Sequence, residues 1–216
     1  MPTPNHRTAI LGQGYVGLPL AIRAAQAGHH VIGYETDAAH VARLQSATSP
    51  SPNVPDTHLA AALANGTYTP TMNPSDLTDF DVAVIAVPAP LRDGAPDLAA
   101  IRSAARTLAP YIRPGCAVVL ESTTYPGTTE EVLKPLLESG SGLAAGPDFH
   151  LGYSPERIDP CNRTWTLQNN PKLVAGLDTP SLKALTAFYR DLVDTVVEVP
   201  TLRDAELAKL IENTFR

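Results

Sequence analysis

Three glycines near the N-terminus have the spacing of a phosphate-binding turn. They lie within residues 12–17, after a short apolar run and before a segment with helical periodicity. In a strand–turn–helix unit, the first glycine permits a tight turn and the second lets a pyrophosphate approach the backbone. The third lets the helix lie close to the strand, and the helix N-terminus favours an anion. The pattern predicts a dinucleotide site that includes Gly12, Gly14, Tyr15, Val16 and Gly17.

A carboxylate follows where such a site requires one. Residues 31–34 are predicted to form a second strand, and Glu35 stands at its end. It lies about 20 residues beyond the glycines, where a carboxylate can accept hydrogen bonds from both hydroxyls of a ribose. Since residues 36–39 contain no arginine to bind a 2′-phosphate, NAD is favoured over NADP. The alternative is an ordinary βαβ unit with an acidic loop, and the complete motif favours the cofactor.

Length and composition narrow the class of protein. The chain has 216 residues, is 44% hydrophobic and carries a formal charge of −6. This length suits one large domain, or one domain and the start of another. The negative charge argues against a nucleic-acid partner, since phosphate backbones select basic surfaces. No apolar run approaches the ~20 residues that span a bilayer, and residues 1–7 lack the apolar core of a signal peptide. We therefore expect a cytoplasmic protein with no membrane partner.

Metal and disulfide chemistry are not expected. The two cysteines, Cys116 and Cys161, make neither a disulfide framework nor a metal cluster. The six histidines are scattered, and no pair has metal-ligand spacing with a third partner. Because Cys116 lies in an apolar run, we expect it to be a small buried hydrophobic residue.

Strands and helices alternate along the chain. Apolar runs predict strands at residues 8–11, 31–34, 81–87, 116–121, 149–153, 173–176 and 195–199. Helical periodicity predicts helices at residues 15–27, 38–46, 58–65, 97–108, 130–138, 180–193 and 204–216. This alternation indicates an α/β fold, a doubly wound, mostly parallel, Rossmann-like sheet followed by the start of a long C-terminal helix. We expect Thr128 or Thr129 to cap the helix that begins at residue 130.

Residues that could do chemistry follow the predicted strands. Ligands of such sheets bind at the carboxyl ends of the strands, and three polar or proline-rich segments fall there, residues 87–90, 122–123 and 154–156. On the last predicted helix, Lys209 and Asn213 are four residues apart and therefore share one face. We expect these three segments and the glycine turn to surround one site.

Five segments, taken together, identify a family. Residues 12–21, 87–91, 121–128, 154–160 and 209–216 resemble, in register, the N-terminal half of the nucleotide-sugar 6-dehydrogenases. This family contains the UDP-glucose, GDP-mannose and UDP-acetamido-sugar dehydrogenases. The Ser-Pro-Glu-Arg form of the fourth segment is most similar to the branch that acts on UDP-N-acetylhexosamines. The resemblance implies NAD-dependent oxidation of the C6 alcohol of a UDP-sugar to a carboxylate, in polysaccharide biosynthesis.

The resemblance also implies roles for individual residues. Thr123 would lie against the nicotinamide and help to hold a water, and Glu156 would be a general base or a water-holding group. Lys209 would stabilise the developing oxyanion, and Asn213 would orient a water or the sugar oxygen. Each could instead be an ordinary turn or surface residue, and only the set of motifs favours a site. The remaining implied cofactor-binding residues are Val87, Pro88, Ala89 and Ser122.

The sequence departs from the family pattern at three positions. Ala89 replaces a threonine, so a hydroxyl is lost beside the cofactor and NAD binding is expected to be weaker. His40 stands where a basic residue is common, five positions after Glu35. Cys161 stands where the acetamido-sugar branch usually has glycine, and it does not match the family's nucleophile.

That nucleophile is a cysteine of the family's C-terminal domain, which forms a thiohemiacetal on the way to the acid. We therefore expect residues 1–200 to be an NAD-binding domain and residues 201–216 to begin the central helix that leads to that domain. On this view the chain binds NAD without completing the oxidation. Two alternatives are a stand-alone NAD-binding or regulatory module and a short oxidoreductase that performs one two-electron step. Since the family pairs through the long helix, the resemblance also allows a homodimer.

Overall fold

The structure, a computed structural model, describes residues 6–92, 95–157 and 166–214. Its strands are β1 (Arg7–Leu11), β2 (His30–Tyr34), β3 (Tyr68–Thr71), β4 (Val82–Ile85), β5 (Leu91–Arg92), β6 (Ala95–Pro96), β7 (Ala117–Leu120), β8 (His150–Tyr153), β9 (Lys172–Gly176) and β10 (Val196–Glu198). Its helices are α1 (Gly17–Gln26), α2 (Ala38–Gln45), α3 (Asp56–Ala64), α4 (Ala99–Leu108), α5 (Lys134–Ser141), α6 (Thr179–Arg190) and α7 (Leu202–Thr214). None of the helices in these described ranges combines the length and the apolar character that crossing a membrane requires.

The eight-stranded sheet has the order β10-β9-β8-β7-β4-β1-β2-β3. From β3 to β8 all neighbouring strands are parallel, whereas β9 is antiparallel to β8 and β10 is parallel to β9. The chain passes from β1 outward to β2 and β3 and then returns to β4 on the other side of β1. This is the doubly wound arrangement that places a ligand at the carboxyl ends of β1 and β4. The predicted α/β fold is confirmed.

Helices cover both faces of the sheet, and the central strands are apolar on both faces for that reason. In β4, Ala83 and Ile85 contribute to the core on the side of α4 and α5. Val82 and Val84 contribute to the core on the side of α1 and α6. A continuous apolar run is the pattern expected of a buried parallel strand. These two layers of side chains hold the carboxyl ends of the strands in fixed positions.

Several predicted boundaries were wrong. The first helix begins at Gly17 rather than at residue 15, so Tyr15 and Val16 belong to the turn before it. Strand β3 and the short hairpin of β5 and β6 were not predicted. Strand β3 lies at the edge of the sheet, has only four residues and contains Pro70, a residue that argues against a strand except at an edge.

The predicted cap of the helix at residue 130 was also wrong. This segment begins as a π-helical turn (Thr129–Leu133) that leads directly into α5, and neither Thr128 nor Thr129 caps it with its side chain. The hydroxyl of Thr128 donates to the carbonyl of Tyr125 instead. The carboxylate of Glu206, on α7, accepts the hydrogen bonds from the backbone N–H groups of Gly127 and Thr129.

Gly17→Ala is expected to lower the free energy of unfolding by about 2 kcal/mol, the typical cost of forcing an extra carbon into a packed site. A Cβ at residue 17 would lie 1.8 Å from the carbonyl oxygen of Gly12. Gly14→Ala is the matched control, since a Cβ there meets no atom within 4 Å. Urea unfolding followed by circular dichroism measures both variants, and equal losses of stability would contradict this account of the turn.

Candidate functional site

A cleft of about 740 Å³ crosses the carboxyl ends of β1, β2, β4 and β7. Its volume lies within the range of small-molecule and cofactor sites. It brings together segments that are far apart in the sequence. Among the predicted site residues, those that line it are Gly12, Gly14, Tyr15, Val16, Glu35, Val87, Pro88, Ala89, Ser122, Thr123, Glu156 and Lys209.

The glycine turn has the shape of a phosphate cradle. Gly12 has a φ of +90°, and a Cβ on it would lie 2.7 Å from the carbonyl oxygen of Ala86, at the end of β4. Gly14 is open on the side where a Cβ would project. Gly17 does not line the cleft but lies beneath it, against Gly12. The residue at the N-terminus of α1, Val16, makes no side-chain cap hydrogen bond, so the positive end of that helix could accept an anion in the cleft.

Gln13, between the first two glycines, is a residue that the sequence analysis missed. It is fully buried. Its amide nitrogen donates to the carbonyl of Ile10 at 2.7 Å, and its amide oxygen accepts the hydroxyl of Tyr68 at 2.8 Å. Burial raises the pKa of Tyr68, so this hydroxyl remains a donor. Tyr68 of β3 therefore holds the turn from beneath. This contact was not expected, because β3 itself was not predicted.

Glu35 lines the cleft beside the glycine turn and contacts it directly. Its Oε2 accepts the backbone N–H of Gln13 at 3.0 Å, and its Oε1 accepts that of Thr36 at 2.7 Å. Nε2 of His40 lies 2.9 Å from the carbonyl oxygen of Gln13. Because a carbonyl can only accept, the ring nitrogen donates in this contact. His40, one of the departures from the family pattern, thus holds the same turn that Glu35 holds.

The β7 side of the cleft carries the second group of predicted cofactor residues. The hydroxyl of Ser122 donates to the carbonyl of Val87 at 2.7 Å and so ties the loop after β7 to the loop after β4. Thr123 lines the cleft beside it. Ala89 also lines the cleft and is partly buried against the core.

Glu156 and Lys209 meet at this end of the cleft, and both are buried. The ammonium group of Lys209 donates to the backbone carbonyl of Glu156. Lys209 is therefore a buried, hydrogen-bonded lysine and not a solvent-exposed lysine on the surface of a helix. Asn213 lies on the same helix, but its side chain is outside the described part of the structure, as is all of Cys161.

A buried charge cluster behind Glu156 was not predicted. Nζ of Lys172 lies 3.1 Å from a carboxylate oxygen of Glu121 and 3.1 Å from one of Glu156. The hydroxyl of Tyr189 donates to the same oxygen of Glu121 at 2.5 Å. A single lysine before an apolar strand gives no sign in the sequence that it will bridge two carboxylates.

The pKa values of this cluster reflect competition between burial and charge. Burial raises the pKa of Glu121 by more than the nearby Lys172 lowers it. Burial by itself would lower the pKa of Lys172, but the attraction of Glu121 and Glu156 outweighs it, so this pKa is raised. Lys172 therefore stays charged, and it provides the positive charge that both buried carboxylates face.

These features define a dinucleotide-binding domain of the dehydrogenase type. The model for the NAD binding domain of the UDP-glucose/GDP-mannose dehydrogenase family matches residues 6–193. The chain belongs to this family and comprises its NAD-binding domain. The predicted family and the predicted NAD cofactor are thereby confirmed, and the buried state of Cys116 is as predicted.

Individual relatives show how much of a longer protein the chain matches. It is 37% identical over 214 residues to Protein CapL of Staphylococcus aureus, with 98% of this chain and 49% of CapL covered. The solved structure of the UDP-D-ManNAc dehydrogenase of Pyrococcus horikoshii matches with a TM-score of 0.91 and 35% identity, covering 97% of this chain and 50% of that one. That of the GDP-mannose dehydrogenase of Pseudomonas aeruginosa matches with a TM-score of 0.88 and 29% identity, covering 97% of this chain and 49% of that one. The chain spans about half the length of these relatives.

Lys172→Met is expected to lower the free energy of unfolding by about 3 to 5 kcal/mol, because it leaves two buried carboxylates without their counter-charge. Arg190→Met is the matched control. It removes an exposed ion pair with Glu198 and should cost less than about 1 kcal/mol. Chemical denaturation at neutral pH measures both variants. Similar small losses for both would show that water reaches the Lys172 cluster.

Proposed function

We propose that this chain is the cofactor-binding half of a nucleotide-sugar 6-dehydrogenase that oxidises the C6 alcohol of a UDP-N-acetylhexosamine in the cytoplasm. The observation that carries the proposal is the meeting of Glu156 and Lys209 at the β7 end of the cleft. Relatives named UDP-N-acetyl-D-mannosamine dehydrogenase and UDP-N-acetyl-D-glucosamine 6-dehydrogenase support the substrate class.

The geometry of the cleft supports one orientation of the cofactor. Glu35 would accept the hydroxyls of the adenosine ribose, and the pyrophosphate would lie over Gly14 at the N-terminus of α1. The nicotinamide half would then lie at the other end, where Ser122 and Thr123 line the cleft. When bound there, NAD supplies the acceptor for a hydride from the sugar.

The residues at the nicotinamide end have properties that suit alcohol oxidation. Lys209, which is buried, would place a positive charge beside the oxygen of the alcohol as that oxygen becomes negative. Glu156 would take the proton of that alcohol, directly or through a water. Thr123 would hold this water, and Asn213, one turn further along α7, would orient it or the sugar oxygen.

A homodimer formed through α7 belongs to the same proposal. Leu207 and Ile211 lie one turn apart on α7, and their exposed fractions are 45% and 49%. Adjacent exposed apolar side chains of this kind suit a second copy of the helix. Analytical ultracentrifugation should show a dimer for the unaltered chain and a monomer when both residues are replaced by glutamate. A monomer in both cases would remove this part of the proposal.

Calorimetry with NAD⁺ and NADP⁺ tests the cofactor assignment. We expect NAD⁺ to bind about tenfold or more tightly than NADP⁺, a difference of about 1.4 kcal/mol, because the carboxylate of Glu35 repels a 2′-phosphate. Glu35→Gln should reduce this preference. Failure of the unaltered chain to bind NAD⁺ would overturn the proposed function.

The same samples show whether the chain catalyses oxidation of a UDP-sugar, which is measured as steady NADH formation. Because it spans about half of its relatives, we expect NAD⁺ binding without steady NADH formation when UDP-N-acetylglucosamine or UDP-N-acetylmannosamine is added. Steady NADH formation that is lost in Lys209→Met would instead favour a short oxidoreductase that performs one two-electron step.

A further inference from the structure

The carboxylate of Glu206 is fully buried on the inner face of α7, and backbone groups far away in the sequence satisfy it. Its Oε2 accepts the N–H of Gly127 at 2.5 Å. Its Oε1 accepts both the N–H of Thr129 at 2.9 Å and the hydroxyl of Thr129 at 2.7 Å. All three partners donate, so both oxygens serve as acceptors. Burial raises the pKa of the Glu206 carboxyl, and the hydrogen bonds from Thr129 and Gly127 oppose that rise.

These donors stand at the start of the π-helical turn that leads into α5. The first N–H groups of a helix have no partner within it, and that end carries a partial positive charge. A carboxylate at this place makes charge-assisted hydrogen bonds, which are stronger than neutral ones. Glu206 thus provides, from another helix, the cap that Thr128 and Thr129 do not provide.

The segment that Glu206 anchors is the loop between β7 and the π-helical turn. Inside this loop, the hydroxyls of Thr124 and Thr128 lie 2.5 Å apart, and Thr128 also donates to the carbonyl of Tyr125. The loop is therefore braced internally and attached to α7 at its far end. Its near end carries Ser122 and Thr123, which line the cleft.

We propose that Glu206 is a positioning residue for the nicotinamide half of the cofactor, which it orients by fixing the loop of Ser122 and Thr123. The inference rests on the proposed function in one respect, the placement of the nicotinamide beside this loop. Glu206 does not line the cleft, so it acts through the loop and not by contact. The adenosine half, held by Glu35 and the glycine turn, is independent of it.

The test compares two ligands that differ only in the nicotinamide. ADP-ribose keeps the adenosine, the pyrophosphate and the second ribose of NAD⁺ but lacks the ring. We expect Glu206→Ala to weaken NAD⁺ binding by about tenfold, equivalent to losing one well-placed contact, and to change ADP-ribose binding by less than about twofold. Isothermal titration calorimetry on the whole chain measures both dissociation constants.

Two further variants sharpen this comparison. Glu131→Ala is the matched control, since this carboxylate belongs to the same π-helical turn but is exposed and paired with Arg203 at 2.6 Å. It should leave both dissociation constants unchanged. Glu206→Gln keeps one acceptor oxygen and nearly the same shape, so it should lie between the unaltered chain and Glu206→Ala. If Glu206→Ala does not fold, Glu206→Gln carries the test.

The outcomes separate this inference from the proposed function. Equal weakening of NAD⁺ and ADP-ribose would show that Glu206 merely stabilises the fold and would overturn the inference alone. Unchanged binding of both ligands would overturn it as well. No binding of NAD⁺ by the unaltered chain would overturn the proposed function and, with it, the placement on which the inference rests.

Discussion

The ion pairs of the buried Lys172 ammonium group are the interactions on which the β7 end of the cleft depends. It joins Glu121, which follows β7, to Glu156, which follows β8, and it does so from the first residue of β9. Buried ion pairs often add little net stability compared with apolar residues of the same shape, although removing one partner is costly. The cluster is therefore better understood as a means of holding Glu156 in one place than as a source of stability. The antiparallel strand β9, which departs from the regular Rossmann order, is what delivers Lys172 to this position.

The two ends of the cleft are built by different physical means. At the glycine turn, neutral hydrogen bonds of Gln13 and Tyr68 and the partly exposed carboxylate of Glu35 hold the backbone beneath an open surface, and the helix supplies only partial charge. That arrangement suits a phosphate, which brings its own charge and needs close backbone approach. At the other end, full charges are buried beside the cleft, where a low dielectric strengthens electrostatic interactions. The two kinds of construction are thus separated along one sheet edge.

The sequence alone was sufficient to predict those features of the fold and the site that depend on local patterns. The glycine spacing, the apolar runs and the carboxyl-end positions of Glu35, Ser122 and Thr123 follow from short segments, and the structure brings them to one cleft. The contacts of Glu206 with Thr129 and of Lys209 with Glu156 span 77 and 53 residues, and no local pattern predicts such partners. On α7, apolar periodicity located the helix but not its buried face. Leu207 and Ile211 are exposed, whereas Glu206 and Lys209 are buried.

The buried face of α7, which carries Glu206 and Lys209, shows how polar side chains can fix the position of a helix beside a cleft. Hydrophobic burial is non-directional, whereas a hydrogen bond requires its two partners to lie in one relative geometry. A buried charge that loses its hydrogen bonds is costly, so the bonds of Glu206 and Lys209 fix both the rotation and the axial position of the helix. These residues are three positions apart, which corresponds to about 4.5 Å along a helix axis. Less than one turn of helix therefore sets the spacing between the loop after β7 and the loop of Glu156, and a rigid element rather than two separate loops determines the width of the β7 end of the cleft.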